Sequence, residues 1–189
     1  PEAIEYITNW SAWCVQNPGD RAEAALVLRG GKGTGKGVFL GALRRIFGGH
    51  GLQIFNRAHM VGHFNAHMRN CLFMFADEAY WAGDKQGESI LKGLLSEPHI
   101  MLEQKGVDPV QWPNRMKVAM AANAAWVVPA SDDERRYGVF DVADTRRGER
   151  AYFAPLLAEA AGEGLGAMLF DMLRMDLGDW HPRYVPQTG

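Results

Sequence analysis

One stretch of this sequence decides the fold: Gly30-Gly31-Lys32-Gly33-Thr34-Gly35-Lys36. It matches the pattern G-x-x-x-x-G-K, which is typical of loops that hold phosphate groups. Residues 24–28 before it are apolar and predict a strand, and the apolar positions between Val38 and Ile46 predict a helix after it. Between a strand and a helix, backbone N–H groups converge on phosphate oxygens at the helix N-terminus. The sequence therefore predicts that residues 30–37 bind nucleotide phosphates, with a flexible glycine-rich turn as the alternative.

The residue after the loop lysine departs from the usual pattern. Lys36 is expected to reach the β- and γ-phosphates, and the next position commonly carries a Ser or Thr whose hydroxyl binds Mg²⁺. Here that position is Gly37. We expect the metal to be held through water and Asp77, or with the help of Thr34. The loop alone thus predicts nucleotide binding and does not by itself predict hydrolysis.

Two acidic residues follow a second apolar segment. Residues 71–76 are apolar throughout, as expected for a strand that is buried on both faces of a parallel sheet, and Asp77 and Glu78 come directly after them. One carboxylate at such a strand end can bind Mg²⁺, and a second can orient and activate the attacking water. We expect Asp77 to bind the metal and Glu78 to activate water; a solvated strand terminus is the alternative.

An asparagine and two arginines complete the candidate site. Asn123 follows residues 116–122, which are apolar except for Lys117, and an amide at that strand end can position the attacking water near the γ-phosphate. Arg135 and Arg136 precede the predicted strand 137–142. A guanidinium from a neighbouring subunit can stabilise charge on the transferring phosphoryl group. A salt bridge with the acidic residues beside them is the alternative, and the sequence does not choose between the two arginines.

Strands that alternate with helices predict a three-layer α/β fold with a mostly parallel sheet. Residues 99–104 and 109–112 are expected to pair as a hairpin with Lys105 near its tip, and residues 57–69 to form a helix. The chain divides into an N-terminal helical segment (1–22), a nucleotide-binding core (23–145) and a helical C-terminal segment with an extended tail (146–189).

The composition predicts neither a general electrostatic affinity for nucleic acid nor a membrane-spanning segment. The 189 residues carry 20 Lys and Arg against 22 Asp and Glu, a formal net charge of −2, so that any DNA contact must come from a local patch. The two cysteines read as buried thiols in a reducing compartment. No apolar run approaches the roughly 20 residues that span a bilayer. The first residue is Pro1, and we expect the chain to be a piece of a longer polypeptide.

Together these motifs resemble superfamily 3 helicases, and more closely the helicase-like ATPase region of phage and plasmid primase–helicase or primase–polymerase proteins. The resemblance covers nearly the whole chain. It rests on motifs that occur in this order: the predicted phosphate-binding loop of residues 30–37 (called the phosphate loop below), Phe75-Ala76-Asp77-Glu78, Glu103-Gln104-Lys105-Gly106, Asn123, and Asp133-Glu134-Arg135-Arg136.

The resemblance implies an AAA+-like P-loop NTPase fold and subunits that form a ring, commonly a hexamer, with ATP and Mg²⁺ bound between neighbours. It implies that Lys105 on the hairpin contacts single-stranded DNA, and that one of the two arginines, Arg135 or Arg136, acts across the subunit interface. It further implies a primase or polymerase domain upstream in the same polypeptide, a cytoplasmic location in a bacterial or phage-infected cell, and no membrane partner.

Two other functions fit parts of the sequence. A nucleoside monophosphate kinase also carries glycine after the loop lysine, but such an enzyme needs several arginines around the phosphates and a lid. A non-hydrolysing ATP-binding module that orders a ring is compatible with Gly37.

Other clusters favour structural roles. His59, His63 and His67 are spaced for one helix face, but no acidic or cysteine ligand is near, so that a metal site is disfavoured. The basic cluster of Arg146, Arg147 and Arg150 favours a solvated surface over a DNA site.

Overall fold

The computed structural model describes residues 2–56, 59, 62, 64–77, 85–123 and 136–186. The strands in this part of the chain are β1 (Ala25–Arg29), β2 (Gly51–Ile54), β3 (Phe73–Asp77), β4 (His99–Gln104), β5 (Val107–Pro113), β6 (Lys117–Ala122) and β7 (Tyr137–Asp141). The α-helices are α1 (Glu2–Gln16), α2 (Lys36–Ile46), α3 (Lys85–Ser96), α4 (Arg150–Ala161) and α5 (Gly164–Arg174).

Five strands form one parallel sheet in the order β2-β3-β6-β1-β7. Strand β6 lies at the centre, and all six of its residues are buried. The predicted α/β fold with a mostly parallel sheet is confirmed. The predicted strands match to within a few residues, because buried strands of a parallel sheet carry uninterrupted apolar runs.

Side chains alternate between the two faces of the sheet. On one face Leu26 and Phe75 belong to a core that includes Trp10 of α1 and Leu40 of α2. On the other face the neighbouring strand residues pack against α3 and the hairpin; this second core includes Val27, Met74, Met120, Leu91, Leu95 and Leu102. The sheet is therefore the middle of three layers.

A buried lysine fastens the connection between α1 and β1 to the sheet. Lys117, at the start of β6, is fully buried, and its Nζ donates to the carbonyl oxygens of Pro18 (2.8 Å) and Arg115 (3.1 Å). Burial lowers the pKa of Lys117 to about 8. The two carbonyl acceptors replace the water that the ammonium loses when it is buried.

Strands β4 and β5 form an antiparallel hairpin with Lys105 and Gly106 at its tip. The outer edge of β4 is covered by Asn65, whose side chain donates to Met101 O (2.8 Å) and accepts from Glu103 N (2.8 Å). The predicted hairpin is present, although β5 starts two residues earlier than predicted.

The helix predicted over residues 57–69 is wrong for the described residues 64–69. That stretch contains only a 3₁₀ turn, Ala66–Met68. Asn65 uses its side chain and its own N–H, which donates to Glu103 O (3.1 Å), to pair with β4. A local apolar pattern does not predict pairing with a strand that is distant in the sequence.

The helical C-terminal segment consists of two helices, α4 and α5. Gln16 of α1 donates to the carbonyl oxygens of Met172 (2.7 Å) and Met175 (2.9 Å), which ties the end of α5 to the N-terminal helix. No single described helix has the length and apolarity to cross a bilayer; α4 and α5 meet these criteria only together, and a 79° bend separates them.

Candidate nucleotide-binding site

The sheet order brings the predicted motifs to one edge. In a parallel sheet all carboxyl ends lie on the same side, and ligands bind beyond them. Strand β6 pairs with β1 on one side and β3 on the other, and Asp77 at the end of β3 is level with Ala121. The first loop residue, Gly30, donates its N–H to Ala122 O (3.2 Å). The loop, Asp77 and Asn123 therefore follow three adjacent strands.

These residues line one cavity of about 660 Å³. Its walls combine the phosphate loop with the ends of β3 and β6; the lining residues are Gly30, Lys32, Gly33, Thr34, Gly35, Lys36, Gly37, Val38, Asp77, Ala121, Ala122 and Asn123. The lining includes Gly31's neighbours on both sides but not Gly31 itself. Every other predicted loop residue, the predicted metal ligand and the predicted asparagine thus face a common space.

The ammonium group of Lys36 is hydrogen-bonded to the loop that precedes this residue. Its Nζ donates to Gly30 O (2.8 Å) and Gly31 O (2.6 Å) and lies 3.3 Å from Thr34 Oγ1. Thr34 is buried, and its hydroxyl donates to Gly31 O (3.0 Å). The loop carbonyls thus hold the ammonium beside the cavity.

The start of α2 is open toward the cavity. Its N-cap is Gly35, which has φ +95° and carries no side chain that accepts from the first amides of the helix. Glycine suits this left-handed backbone position. An uncapped helix N-terminus leaves amide donors and a partial positive charge for an anion.

The donor set beside the loop suits a hard cation. Asp77 contributes a carboxylate, and Gln53 of β2 orients it, because Gln53 Nε2 lies 3.4 Å from Asp77 Oδ2. Thr34 and Asn123, a hydroxyl and an amide residue, belong to the same lining. Mg²⁺ prefers oxygen ligands and keeps several waters, so that one carboxylate beside substrate phosphates is a suitable site. The sequence does not predict a role for Gln53, because that role depends on the pairing of β2 with β3.

Four predicted residues lie away from the cavity or outside the described residues. Glu78 and Arg135 lie outside the described residues. Arg136 precedes β7, at the amino edge of the sheet opposite the cavity, and its Nε donates to Ser96 Oγ (3.0 Å). Arg136 is therefore remote from the cavity of its own chain. Lys105 is exposed at the hairpin tip and does not line the cavity.

A second, apolar groove of about 710 Å³ adjoins the loop, and the sequence did not predict it. It shares Thr34, Gly35, Lys36 and Val38 with the first cavity. Helices α1, α2, α4 and α5 form its walls, with Tyr152 and Phe153 among the lining residues. Because these residues come from both ends of the chain, only the folded structure brings them together.

Two of the three clustered histidines, His59 and His67, lie within the described residues. His67 Nε2 bonds to His59 O at 2.8 Å, and the two rings lie 6.2 Å apart. His63 lies outside the described residues. No group of three or more His, Cys, Asp or Glu side chains suited to a metal occurs among the residues described.

Residues 28–136, more than half of the 189, match a protein family described as a family of unknown function, DUF5906. The chain belongs to this family. The DUF5906 region begins at Leu28, two residues before the phosphate loop, and ends at Arg136. It therefore contains the loop, Asp77, the hairpin and Asn123, whereas α1, α4 and α5 lie outside it.

The chain is also similar to known phage proteins. It is 25% identical over 137 residues to the DNA primase-polymerase of Nitratiruptor phage NrS-1, a match that covers 70% of this chain and 19% of that protein. An apo structure of the NrS-1 C-terminal region superposes with a TM-score of 0.84 at 19% identity, over 99% of this chain and 45% of that one. A second, the A form, gives 0.78 at 20% identity, over 94% and 42%. The fold is thus shared with a region more than twice as long.

The first loop glycine is expected to tolerate no side chain. A methyl group built at Gly30 lies 2.7 Å from Val142 O, and Val142 is fixed because its N–H donates to Arg29 O (2.7 Å). We expect Gly30→Ala to lower the free energy of unfolding by about 1–3 kcal/mol, the usual cost of overpacking. Urea denaturation followed by circular dichroism measures this change.

Gly37→Ala is the matched control, since a methyl group built at Gly37 meets nothing within 4 Å. Gly37 is in α2, where alanine is favoured over glycine by up to about 1 kcal/mol. Equal stability of the two variants would contradict the packing described for the loop.

Proposed function

We propose that this chain is the ATP-hydrolysing module of a phage-type DNA replication protein and moves along single-stranded DNA as a ring. The observation that supports it most is the cavity at the carboxyl edge of the sheet, where the phosphate loop, Asp77 and Asn123 meet. The order of motifs, similar to superfamily 3 helicases with an AAA+-like P-loop NTPase fold, and the likeness to a phage primase-polymerase agree with this proposal.

In this proposal each polar group acts on one part of the nucleotide. Lys36 leaves the carbonyl oxygens of Gly30 and Gly31 and binds the β- and γ-phosphates, while the first amides of α2 bind the other phosphate oxygens. Asp77 is the ligand for Mg²⁺, which neutralises phosphate charge when bound. Asn123 orients the attacking water, and Glu78 accepts its proton.

The apolar groove is suited to the base. It opens beside Thr34 and Gly35, so that a nucleotide whose phosphates lie in the loop extends its nucleoside toward α4. Leu156 is 43% exposed there and offers an apolar surface against which the base can pack. This arrangement places phosphates in the polar cavity and the base in the apolar one.

The proposed motor action involves residues outside this cavity. Lys105 is carried by a two-stranded hairpin that extends from the core, and its exposed ammonium can bind a phosphate of single-stranded DNA. Arg136 is at the opposite edge of the sheet from its own nucleotide site, a position suited to a neighbour's γ-phosphate. Arg135 is the other candidate for that role. A primase or polymerase domain in the same polypeptide would supply the synthetic activity.

One observation favours a second candidate, a module that binds ATP without hydrolysing it and orders a ring. Gly37 supplies no hydroxyl where a metal ligand commonly stands, and Thr34 Oγ1 is engaged with Gly31 O. Asp77 would then be the one protein carboxylate for the metal among the described residues that line the cavity.

The test is ATP hydrolysis as a function of protein concentration, with and without single-stranded DNA. If sites are shared between subunits, the rate per subunit should rise with concentration, and DNA should stimulate it. Glu78→Gln should bind ATP normally and lose about 10²–10⁴-fold in rate, the usual contribution of a general base. Glu97→Gln, an exposed residue at the end of α3, is the isosteric control and should keep wild-type activity.

Three outcomes would contradict the proposal in different ways. Tight ATP binding without turnover in the assembled ring would support the non-hydrolysing module. Phosphoryl transfer to a nucleoside monophosphate, indifferent to DNA, would indicate a kinase. Undiminished hydrolysis by Glu78→Gln would remove Glu78 from the mechanism.

The hairpin lysine is expected to bind DNA. Lys105→Ala should weaken binding of single-stranded DNA and reduce the slope of log affinity against log salt concentration by about 0.7, the value for one lost phosphate contact. Fluorescence anisotropy of a labelled oligonucleotide at several salt concentrations measures both. Arg45→Ala, which removes an exposed cation from α2, is the control. An unchanged salt slope for Lys105→Ala would leave Lys105 as an ordinary turn residue.

A further inference from the structure

The segment after β7 packs directly against the phosphate loop. A methyl group built at Gly31 lies 2.9 Å from Asp144 Oδ1 and 3.3 Å from Arg147 Nη1. One built at Gly33 lies 3.5 Å from Gly148 N and 3.9 Å from Arg147 Cγ. Gly148 also donates its N–H to Gly33 O (3.0 Å). Arg147 is exposed, as the sequence predicts, and it also lies beside the loop.

The backbone of Arg147 is fixed, but its side chain is held loosely. Arg147 N donates to Asp144 O (2.9 Å), and the next residue is bonded to the loop. The guanidinium makes an ion pair with Asp144 at 3.6 Å, in which both side chains are more than half exposed. Exposed pairs of this kind contribute little stability, so that a ligand of higher charge can displace the carboxylate.

The neighbouring arginine is held in a different way. Arg146 Nη1 donates to both carboxylate oxygens of Glu149, at 3.2 and 3.1 Å, and its guanidinium lies 5.1 Å from the centre of the Tyr152 ring. Neither contact involves the phosphate loop. Of the two adjacent arginines, Arg147 is therefore the one beside the loop, and Arg146 is a control of the same charge.

We propose that Arg147 is a phosphate-binding residue of its own chain's nucleotide site. The inference rests on the proposed function. When a nucleoside triphosphate occupies the loop, the guanidinium leaves Asp144, passes over Gly33, which lines the cavity, and binds oxygens of the terminal phosphate. Guanidinium groups suit this role because their planar set of donors matches phosphate geometry. The loop then has two cations, Lys36 from within and Arg147 from outside.

Asp144 acts as the competing anion in this proposal. Without nucleotide it neutralises Arg147 beside the loop, where Lys36 already carries a positive charge. With nucleotide bound, the terminal phosphate replaces it. The proposal therefore predicts opposite effects for the two partners of one ion pair, which a purely structural ion pair does not produce.

Calorimetric titration with ATP and with ADP, each with Mg²⁺, tests the proposal. Arg147→Ala should weaken ATP binding about 10- to 100-fold, as expected for a charge-assisted hydrogen bond, and ADP binding much less. Arg147→Lys should recover part of the loss. Asp144→Asn should strengthen ATP binding, because the competing carboxylate is removed. Arg146→Ala should leave both affinities unchanged, and thermal unfolding of each variant checks that it is folded.

Several results would overturn the proposal. Arg147→Ala with wild-type affinity for ATP excludes a phosphate contact, and equal losses in Arg147→Ala and Arg146→Ala indicate a general charge effect. A loss of single-stranded DNA binding with unchanged ATP affinity would assign Arg147 to nucleic acid. Wild-type protein that binds neither ATP nor ADP would overturn both this inference and the proposed function, whereas normal wild-type binding with an indifferent Arg147→Ala overturns this inference alone.

Discussion

The candidate site depends on the position of β6 between β1 and β3. All six residues of β6 are buried, and its hydrogen bonds to both neighbours fix their relative register. This register sets Asp77 level with Ala121 and places Gly30 against Ala122. A strand slipped by one residue would exchange its two faces and separate the carboxylate from the loop. The geometry of the site is therefore a consequence of packing in the sheet interior.

The phosphate loop is also supported from outside, by chain that comes more than a hundred residues later. Val142 O approaches Gly30, and the Phe153 ring lies 2.7 Å from a methyl group built at Gly35. Glycine at these positions lets this second segment pack closely against the loop, because no side chain lies between them. Because the same segment leads into α4 and α5, the loop and the C-terminal helices are physically connected.

The sequence predicts those features of the fold that depend on residues next to one another. The loop motif and the buried strands were predicted from residues next to one another, and parallel topology predicted that Asp77 and Asn123 share an edge. Contacts between distant segments were not predictable in this way. Asn65 pairs with β4, and Arg147 lies against Gly31, because tertiary packing brings them there. For the segment that contains Asn65, the local pattern predicted a helix where the structure has a 3₁₀ turn.

The most direct test of the central claim is the change in backbone amide NMR shifts when Mg²⁺ and a non-hydrolysable ATP analogue are added. If this edge of the sheet binds nucleotide, saturable changes should be largest at Gly30, in residues 32–38, at Asp77 and at Asn123, which line the cavity. Smaller changes should extend to residues 144–153, which pack on the loop. Saturable changes confined to another surface, or no change at millimolar analogue, would contradict the assignment of this cavity as a nucleotide site.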